Sequence, residues 1–239
     1  MSDENETKKI CAVIGIGPGN GEACARKFAA EGYVVALLSR KDDLSKKLAA
    51  EVGGGSKAYV CDVSDPASVT RAFSEIKNDL GEVSVVVFNA GSGVFGSIEE
   101  TTVSDFESSW RVNALGLFAT AKAVVPSMKA HKNGAIIVIG ASASRRGNVK
   151  TAAFAPAKAA QKSLCESMAR SLWPSGIHVA LIIVDGVVDL PRTREHMKDK
   201  PDTFFVKPAD IATTVFATAT QPRSTWSFEV EARPFGETW

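Results

Sequence analysis

A glycine-rich segment lies near the start of the 239-residue chain, between an apolar run at residues 10–14 and a helix-like stretch at residues 22–31. A strand that ends in glycines and opens a helix directs backbone N–H groups and a helix N-terminus toward one point, which suits a phosphate group. Gly15 can form the tight turn, while Gly19 and Gly21 allow a phosphate and a neighbouring strand to approach the backbone closely. Because short glycine patterns also recur by chance, a turn without a ligand stays open on this segment alone.

Charge and composition narrow the class of protein. Lysine and arginine together number 28 against 27 for aspartate and glutamate, a net charge of +1, so we expect neither nucleic acid nor a membrane as a partner. We expect residues 1–8 to be a flexible N-terminus without a signal peptide, and no apolar run is long enough to span a bilayer. The four cysteines lack the spacing of a metal site, so we predict buried thiols, no metal, and a reducing cytoplasmic compartment, with an organelle as the alternative.

Short β-branched apolar runs alternate with longer helical patterns along the chain. The predicted strands cover residues 10–14, 34–38, 58–60, 83–88, 135–139 and 179–184, with a weak last strand at 227–230. The predicted helices cover residues 22–31, 42–52, 65–80, 102–130, 151–173 and 208–220. Runs that are apolar throughout are typical of parallel strands covered on both faces. We therefore predict a single α/β domain, a Rossmann-like doubly wound parallel sheet of about seven strands with helices on both faces.

Two kinds of local signal accompany these predicted helices. Asp65 is suited to cap the third helix, because Pro66 then occupies its first position. Glycines follow the predicted helix ends, where a left-handed residue is favoured. These glycines are Gly32, Gly53, Gly81, Gly134 and Gly176. We expect each of them to adopt a positive φ.

Polar or small residues follow the predicted strands, at the edge where doubly wound sheets bind ligands. The second strand is followed by Ser39, Arg40 and Lys41, with no acidic residue to bond the ribose hydroxyls of NAD. A guanidinium can pair bidentately with a phosphate, and a serine hydroxyl can add a hydrogen bond. We therefore predict NADP(H) as the cofactor in preference to NAD(H); the alternative is a solvated surface arginine. The other strands are followed by Asp62, by Asn89-Ala90-Gly91, by residues 140–144 and by Asp185-Gly186.

Taken together, these residues resemble the short-chain dehydrogenase/reductase family over nearly the whole chain. Asp62-Val63 resembles the family's contact to the adenine ring, and Asn89-Ala90-Gly91 matches its motif after the fourth strand. The strand-edge argument and the resemblance predict one set of cofactor contacts: Gly15, Gly19, Asn20, Gly21, Ser39, Arg40, Asp62, Val63, Asn89, Ala90, Gly91, Lys158, Asp185 and Gly186. The resemblance implies catalytic roles for Asn113, Ser142 and Lys158, and in the family this lysine also holds the nicotinamide ribose.

The chain departs from the family pattern at the proton carrier. The family's Tyr-x-x-x-Lys motif reads Phe-Ala-Pro-Ala-Lys here, so Phe154 stands where a tyrosine hydroxyl exchanges the proton. The chain's two tyrosines, Tyr33 and Tyr59, lie at positions that we expect to be out of reach. After the sixth strand, Asp185 stands for a proline of the family and Leu190 for a threonine that bonds the nicotinamide carboxamide. The pattern therefore supports cofactor binding and leaves the source of the proton open.

Several side chains could replace the missing hydroxyl, and each of them could instead have a purely structural or binding role. The pKa of Lys158 should fall beside a positively charged nicotinamide ring, although the residue could serve only to hold the ribose. Ser142 could hydrogen-bond a substrate carbonyl, whereas Ser144 could do the same or bond the turn backbone. His196 could act as an acid or be solvated. Asp185 could hold the carboxamide or a substrate amine, or cap the next turn.

These observations lead to one preferred function and two alternatives. We predict an NADP(H)-dependent oxidoreductase that transfers hydride to or from a small apolar carbonyl, C=C or C=N substrate, with atypical proton transfer. The alternatives are a catalytically silent NADP(H)-binding scaffold or redox sensor and, more weakly supported, a lyase or isomerase. Residues 187–207 are expected to cover the substrate. Small residues on the two long helices allow helix-on-helix packing, and in the family these faces build dimers and tetramers, so the resemblance implies a homodimer or homotetramer.

Overall fold

The computed structural model describes residues 8–236, so residues 1–7 of the predicted flexible N-terminus lie outside it. The strands within this range are β1 (Ile10–Ile14), β2 (Val34–Ser39), β3 (Lys57–Val60), β4 (Val85–Phe88), β5 (Gly134–Ala141), β6 (Ile177–Val184), β7 (Val187–Val188), β8 (Phe205–Val206) and β9 (Glu229–Ala232). The helices are α1 (Asn20–Ala30), α2 (Asp43–Val52), α3 (Pro66–Asp79), α4 (Val103–Trp110), α5 (Gly116–His131), α6 (Phe154–Leu172), α7 (Pro191–His196) and α8 (Pro208–Ala219).

The central sheet confirms the predicted fold class. Within the described residues it has seven parallel strands in the order β3-β2-β1-β4-β5-β6-β9. Its strand order reverses direction at β1, which pairs with β2 on one side and with β4 on the other. The ends of these three strands meet, since Ile14 aligns with both Leu38 and Phe88. Ligands of doubly wound sheets bind at this kind of reversal, outside the carboxyl ends of the strands.

Two hydrophobic cores sandwich the sheet. One core contains apolar side chains of α3, α5 and α6, and the other contains those of α1, α2 and α8. The strands β1, β4 and β6 are buried along their whole length. Burial on both faces explains why β1 and β4 are apolar throughout and why β6 is apolar except at His178.

The predicted helix over residues 102–130 is present as a helical path over residues 103–131, and it contains a π-helical turn that the sequence did not predict. Helix α4 ends at Trp110, a π-helical turn spans Arg111–Leu115, and α5 follows from Gly116. The Nδ2 group of Asn113 donates to the carbonyl of Ser109 at 2.8 Å, an acceptor that regular α-helical geometry would reserve for a backbone N–H. The insertion of one residue widens the helix locally, as is common at functional sites.

The predicted residues at the helix ends agree with the structure except at one glycine. Asp65 caps α3 as predicted, because its carboxylate accepts from the backbone N–H groups of Ala67 and Ser68. Four of the five glycines have a positive φ, but Gly134 begins β5 instead, and Lys132 takes the left-handed conformation with a φ of 50°. A Cβ atom at Gly134 would lie 2.6 Å from the sulfur of Met128, so this glycine serves close packing.

The cysteines are buried thiols without disulfide bonds: Cys11, Cys24, Cys61 and Cys165. Burial raises the pKa of the Cys24 thiol to about 12, which suppresses its reactivity. Across residues 8–236, no group of three or more histidine, cysteine or acidic side chains could hold a metal ion. In the same range, no helix combines the length and the apolar character needed to cross a membrane.

Candidate active site

The loop between β1 and α1 is shaped so that glycine is required at specific positions. Gly15 has a φ of 92°, and a Cβ atom there would lie 2.6 Å from the backbone nitrogen of Ala90. A Cβ atom at Gly21 would lie 2.3 Å from the carbonyl oxygen of Gly15. Gly17, in the same loop, has open space around it. The N–H groups of Gly15 and Ile16 donate to the Leu38 carbonyl, and α1 begins directly after the turn, so its N-terminus lies at the carboxyl edge of the sheet, where a phosphate could bind.

Two asparagines border the glycine loop. Asn89 follows β4, and its Nδ2 group donates to the Gly15 carbonyl at 2.7 Å, which fixes the turn. Asn20 is the first residue of α1, and its buried Oδ1 atom has no hydrogen-bond partner within the described chain. Buried polar atoms are normally hydrogen-bonded, so this unpaired acceptor beside the glycine loop indicates that a hydrogen-bond donor is missing there. Both positions belong to the predicted cofactor set.

The end of β2 presents two exposed cations, Arg40 and Lys41, and one hydroxyl that is already hydrogen-bonded. Arg40 is exposed to solvent. The Ser39 hydroxyl donates to the Lys41 carbonyl at 2.6 Å and lies 2.5 Å from the Ser45 hydroxyl, so it is engaged within its own turn. Of the two side chains predicted to face a 2′-phosphate, the arginine is the one that is free to reach outward.

The residues after β3 form a second turn at the same edge. The Asp62 carboxylate accepts from the backbone N–H and the hydroxyl of Ser64 at 2.9 and 2.7 Å. Val63 is buried against Gly116 of α5, where a Cβ atom would lie 2.9 Å from the valine Cβ. These bonds hold Asp62-Val63 in a defined position beside the ends of β1 and β2.

Lys158 is a buried amine held by two carbonyl oxygens. It lies on α6 and is 5 % exposed. Its Nζ atom donates to the backbone carbonyl of Ile139 at 3.0 Å and to Oε1 of Gln161 at 2.9 Å. Burial lowers the pKa of Lys158 to about 8. The two bonds use two N–H groups, so a third proton is available to a ligand at a pH close to neutrality.

The amide of Gln161 connects Lys158 to the widened helix. Its Nε2 group donates to the backbone carbonyl of Asn113 at 3.0 Å, and both residues are fully buried. The Oδ1 atom of Asn113 has no partner in the described chain, and a Cβ atom at Gly91 would lie within 4 Å of both this oxygen and Lys158 Nζ. Two predicted catalytic residues therefore meet beside Gly91. Sequence reasoning missed Gln161, although its position three residues after Lys158 on one helix face was a signal.

Ser142 begins a short turn after β5, and its hydroxyl donates to the carboxylate of Asp185. The second oxygen of this buried carboxylate accepts from Arg233, which follows β9. The structure thus turns the Asp185 side chain toward Ser142. Sequence reasoning missed Arg233, because 48 residues separate it from Asp185 and no local pattern connects them.

Of the other candidates, Ser144 accepts from the backbone N–H of Ala141 at 3.2 Å, as a turn serine does. His196 is exposed, and its ring contacts the Arg192 carbonyl of its own helix. The Tyr59 hydroxyl donates to Asp79 at 3.2 Å, at the far end of α3. Tyr33 packs against Phe28, with ring centroids 5.2 Å apart. None of these side chains joins the group around Lys158.

An aromatic pair and an apolar side chain flank the site. The ring of Phe154, at the start of α6, lies 5.3 Å from the ring of Phe95 in the segment that follows β4. Leu190 lies on the glycine loop, since its Cδ2 atom would be 2.7 Å from a Cβ atom at Gly19. Leu190 precedes α7, and β7 pairs with β8 to bring residues 187–206 together at this edge.

A family model described as short chain dehydrogenase matches residues 9–201, most of the chain and all but the last part of the site. The chain belongs to the short-chain dehydrogenase family. A mouse relative of this family, named 3-oxoacyl-[acyl-carrier-protein] reductase, is 31% identical over 192 residues, which are 80% of each chain. The family assignment agrees with the resemblance of the strand-edge residues.

Solved structures of the family share the whole fold. A short-chain dehydrogenase from Rhodopseudomonas palustris is 33% identical, with a TM-score of 0.81 over 95% of this chain and 99% of that one. An alcohol dehydrogenase from Thermococcus sibiricus, complexed with 5-hydroxy-NADP, is 27% identical, with a TM-score of 0.85 over 97% of this chain and 98% of that one. Both likenesses cover a larger share of the chain than the matched family model does.

Proposed function

We propose that this protein is an NADP(H)-dependent oxidoreductase that transfers hydride to or from a small apolar substrate with a carbonyl, C=C or C=N bond. One observation carries the proposal: the turn after β1 has no room for a side chain at Gly15 or Gly21, and it lies at the same edge of the sheet as the buried Lys158. A turn of this kind suits a phosphate group. The Lys158 amine is buried beside that edge and its pKa is about 8, so besides binding the cofactor it could donate a proton, which favours an enzyme over a scaffold. The family of the chain and the NADP analogue in its Thermococcus relative agree with this proposal.

The residues present fit a nicotinamide dinucleotide. The glycine turn and the N-terminus of α1 would hold the pyrophosphate, and the unpaired Asn20 Oδ1 atom could accept a hydrogen bond from a hydroxyl of the cofactor. Arg40 would pair with a 2′-phosphate, and Asp62-Val63 would contact the adenine ring. When bound, the reduced cofactor supplies hydride. Lys158 would hold the ribose with its third N–H group, and its ammonium form could also deliver a proton.

Phe154 explains why we propose atypical proton transfer. Within the resemblance, this ring occupies the place of the family's tyrosine, and it offers no hydroxyl to a substrate oxygen. The ring packs against Phe95 and makes this part of the site apolar. The proton must therefore come from Lys158, from water or from the substrate itself.

The test is NADPH consumption by the purified protein with a panel of ketones, enones and imines. The proposal expects at least one class of substrate to oxidise NADPH, and it expects Lys158→Ala to remove that activity. If every class is inert while NADPH binds and raises the melting temperature, the protein is a scaffold or sensor instead.

The cofactor preference gives a prediction for Arg40. Arg40→Ala is expected to weaken NADPH binding about tenfold or more, because it removes a charge-assisted bond to the 2′-phosphate. NADH binding should change less than about twofold, since NADH lacks that phosphate. Calorimetric titration of both cofactors measures the difference. An equal loss for both would contradict the NADP(H) assignment.

Restoring the hydroxyl gives a second prediction. Phe154→Tyr is expected to raise kcat/KM for ketone reduction about tenfold or more, because a phenol beside Lys158 can donate the proton. Phe95→Tyr is the matched control, as it adds the same hydroxyl to the neighbouring ring. An equal gain in both variants, or no gain in Phe154→Tyr, would argue against the proposed place of Phe154 in the site.

We also propose that α7 covers the substrate.

A further proposal concerns assembly: the protein is a homodimer or homotetramer. Large apolar side chains are exposed on α4 and α5: Val103, Phe106, Trp110 and Phe118. Such a patch indicates an interface between proteins. Light scattering is expected to give two or four times the chain mass of 25.3 kDa, and Phe118→Glu should shift the protein toward the monomer. A monomeric wild type would contradict this assembly.

A further inference from the structure

A row of ion pairs leads from the surface to Ser142. Its members alternate in sign: Lys162, Glu229, Arg145, Glu231, Arg233 and Asp185. The Glu229 carboxylate lies 2.6 Å from both Lys162 and Arg145, and Arg233 lies 3.1 Å from Glu231. Glu229 and Glu231 share one side of the edge strand β9, because side chains along a strand alternate between its faces. Arg233 follows β9 and connects these two carboxylates to Asp185.

The inner end of this row determines which way the Ser142 hydroxyl points. Asp185 is 4 % exposed, and an ionised carboxylate can only accept hydrogen bonds. One of its oxygens accepts from Ser142 and the other from Arg233. Arg233 pairs with this buried carboxylate and offsets the cost of burying its negative charge. With its proton directed to Asp185, the Ser142 oxygen offers only lone pairs to a ligand.

We propose that Asp185, held by Arg233, is a positioning residue that makes Ser142 a hydrogen-bond acceptor, and that the site therefore selects protonated imines over ketones. This inference rests on the proposed function and names its substrate class. The N–H group of a protonated imine can donate to the Ser142 oxygen. A ketone oxygen can only accept a hydrogen bond, and so can the Ser142 oxygen while its proton points to Asp185. The two oxygens would therefore repel each other.

The chemistry of a protonated imine also agrees with Phe154. The cation R₂C=NHR⁺ gains one hydride at carbon from a reduced nicotinamide, the C=N π electrons move to nitrogen, and the product is the neutral amine R₂CH–NHR. Charge and atoms balance without a further proton. A ketone would instead need a proton at oxygen, which Phe154 cannot give. The missing hydroxyl and the direction of the Ser142 proton thus favour the same substrate.

The first experiment measures binding, so that it does not depend on turnover. Pyrrolidine and tetrahydrofuran have rings of the same size, but the protonated amine donates hydrogen bonds and the ether only accepts them. Titrated into the NADPH-loaded protein, pyrrolidine is expected to bind at least about tenfold more tightly than tetrahydrofuran. Asp185→Asn should reduce this ratio at least about tenfold, because the asparagine amide can donate to Ser142 and free its proton for the ligand.

The second experiment compares turnover of 1-pyrroline and cyclopentanone with NADPH. The wild type is expected to favour the imine, and Asp185→Asn to move kcat/KM toward the ketone. Glu229→Gln is the matched control, since it removes a carboxylate of the same row that contacts neither Asp185 nor Ser142. Arg233→Lys keeps a cation beside Asp185 and should retain most of the preference.

The outcomes separate the inference from the proposed function. Equal affinity for pyrrolidine and tetrahydrofuran, a wild-type preference for cyclopentanone, or an Asp185→Asn protein with unchanged ratios would each overturn the inference, even if NADPH is consumed. Preferential binding of pyrrolidine that Asp185→Asn abolishes, with no NADPH consumption by any substrate, would support the role of Asp185 and overturn the oxidoreductase proposal.

Discussion

Lys158→Ala is expected to lower kcat/KM for NADPH oxidation by about 10²- to 10⁴-fold, the range typical of a lost acid–base or positioning group. The amine is buried, its Nζ atom is held by the carbonyl oxygens of Ile139 and Gln161, and its remaining proton is available to a ligand. Steady-state kinetics together with cofactor titration measure the loss. A rise in the NADPH dissociation constant identifies ribose binding, whereas a fall in kcat alone identifies proton delivery.

The acidity of Lys158 adds a pH dependence for ketone substrates. Burial disfavours the ammonium form and lowers the pKa of Lys158 to about 8. The ammonium form is the one that can donate, so the rate should be high below about pH 8 and should fall as the pH rises through that value. Lys122→Ala, which removes an exposed lysine of α5, is the control. Full activity in Lys158→Ala would refute a functional role for this side chain.

Gly21→Ala is expected to weaken NADPH binding by at least about 100-fold, a loss of roughly 2.7 kcal/mol. A Cβ atom there would lie 2.3 Å from the Gly15 carbonyl oxygen, closer than packed atoms allow. The contact is with backbone, so relief requires the glycine turn itself to move away from the phosphate. Fluorescence titration with NADPH measures the affinity, and circular dichroism shows whether the fold is retained.

The same loop provides the control for this prediction. Gly17→Ala places a methyl group where no atom lies within 4 Å, and NADPH affinity should change less than about threefold. If Gly21→Ala fails to fold, Gly19→Ala offers a milder test, because its φ of 126° is strained for alanine while its near neighbour is the flexible end of Leu190. Equal affinities in Gly17→Ala and Gly19→Ala would place the phosphate elsewhere.

The sheet was predictable because its signal is repeated along the whole chain. Runs such as Ile10–Ile14 and residues 179–184 are apolar at every position, which is typical of strands buried on both faces. The π-helical turn within the long helix was not predictable. It depends on a hydrogen bond from the Asn113 side chain to the Ser109 carbonyl. An asparagine within a helical pattern does not show whether its side chain will form such a bond. Gly134 was also misread, because its small size serves packing against Met128 and not a left-handed turn.

The site was predictable only in part, for a similar reason. Residues that directly follow strands, such as Asn89 and Ser142, lie at one edge because the sheet topology places them there. The side chains that orient them through hydrogen bonds come from elements that are distant in the sequence. Arg233 reaches Asp185 only after β9 has paired with β6, and Gln161 bridges Lys158 to Asn113 only after α6 has packed on the widened helix. Contacts of this kind depend on tertiary packing, which local sequence patterns do not encode.

The most direct test of the account is the transfer of deuterium from NADPH labelled at C4 of the nicotinamide ring, with each of the two C4 epimers offered in turn. The protein is incubated with 1-pyrroline, cyclopentanone and an enone, and the products are analysed by mass spectrometry. The account predicts that one epimer delivers deuterium to the reduced carbon of a product and that the other does not. Unlabelled products from both epimers, or no product at all from a protein saturated with NADPH, would contradict it.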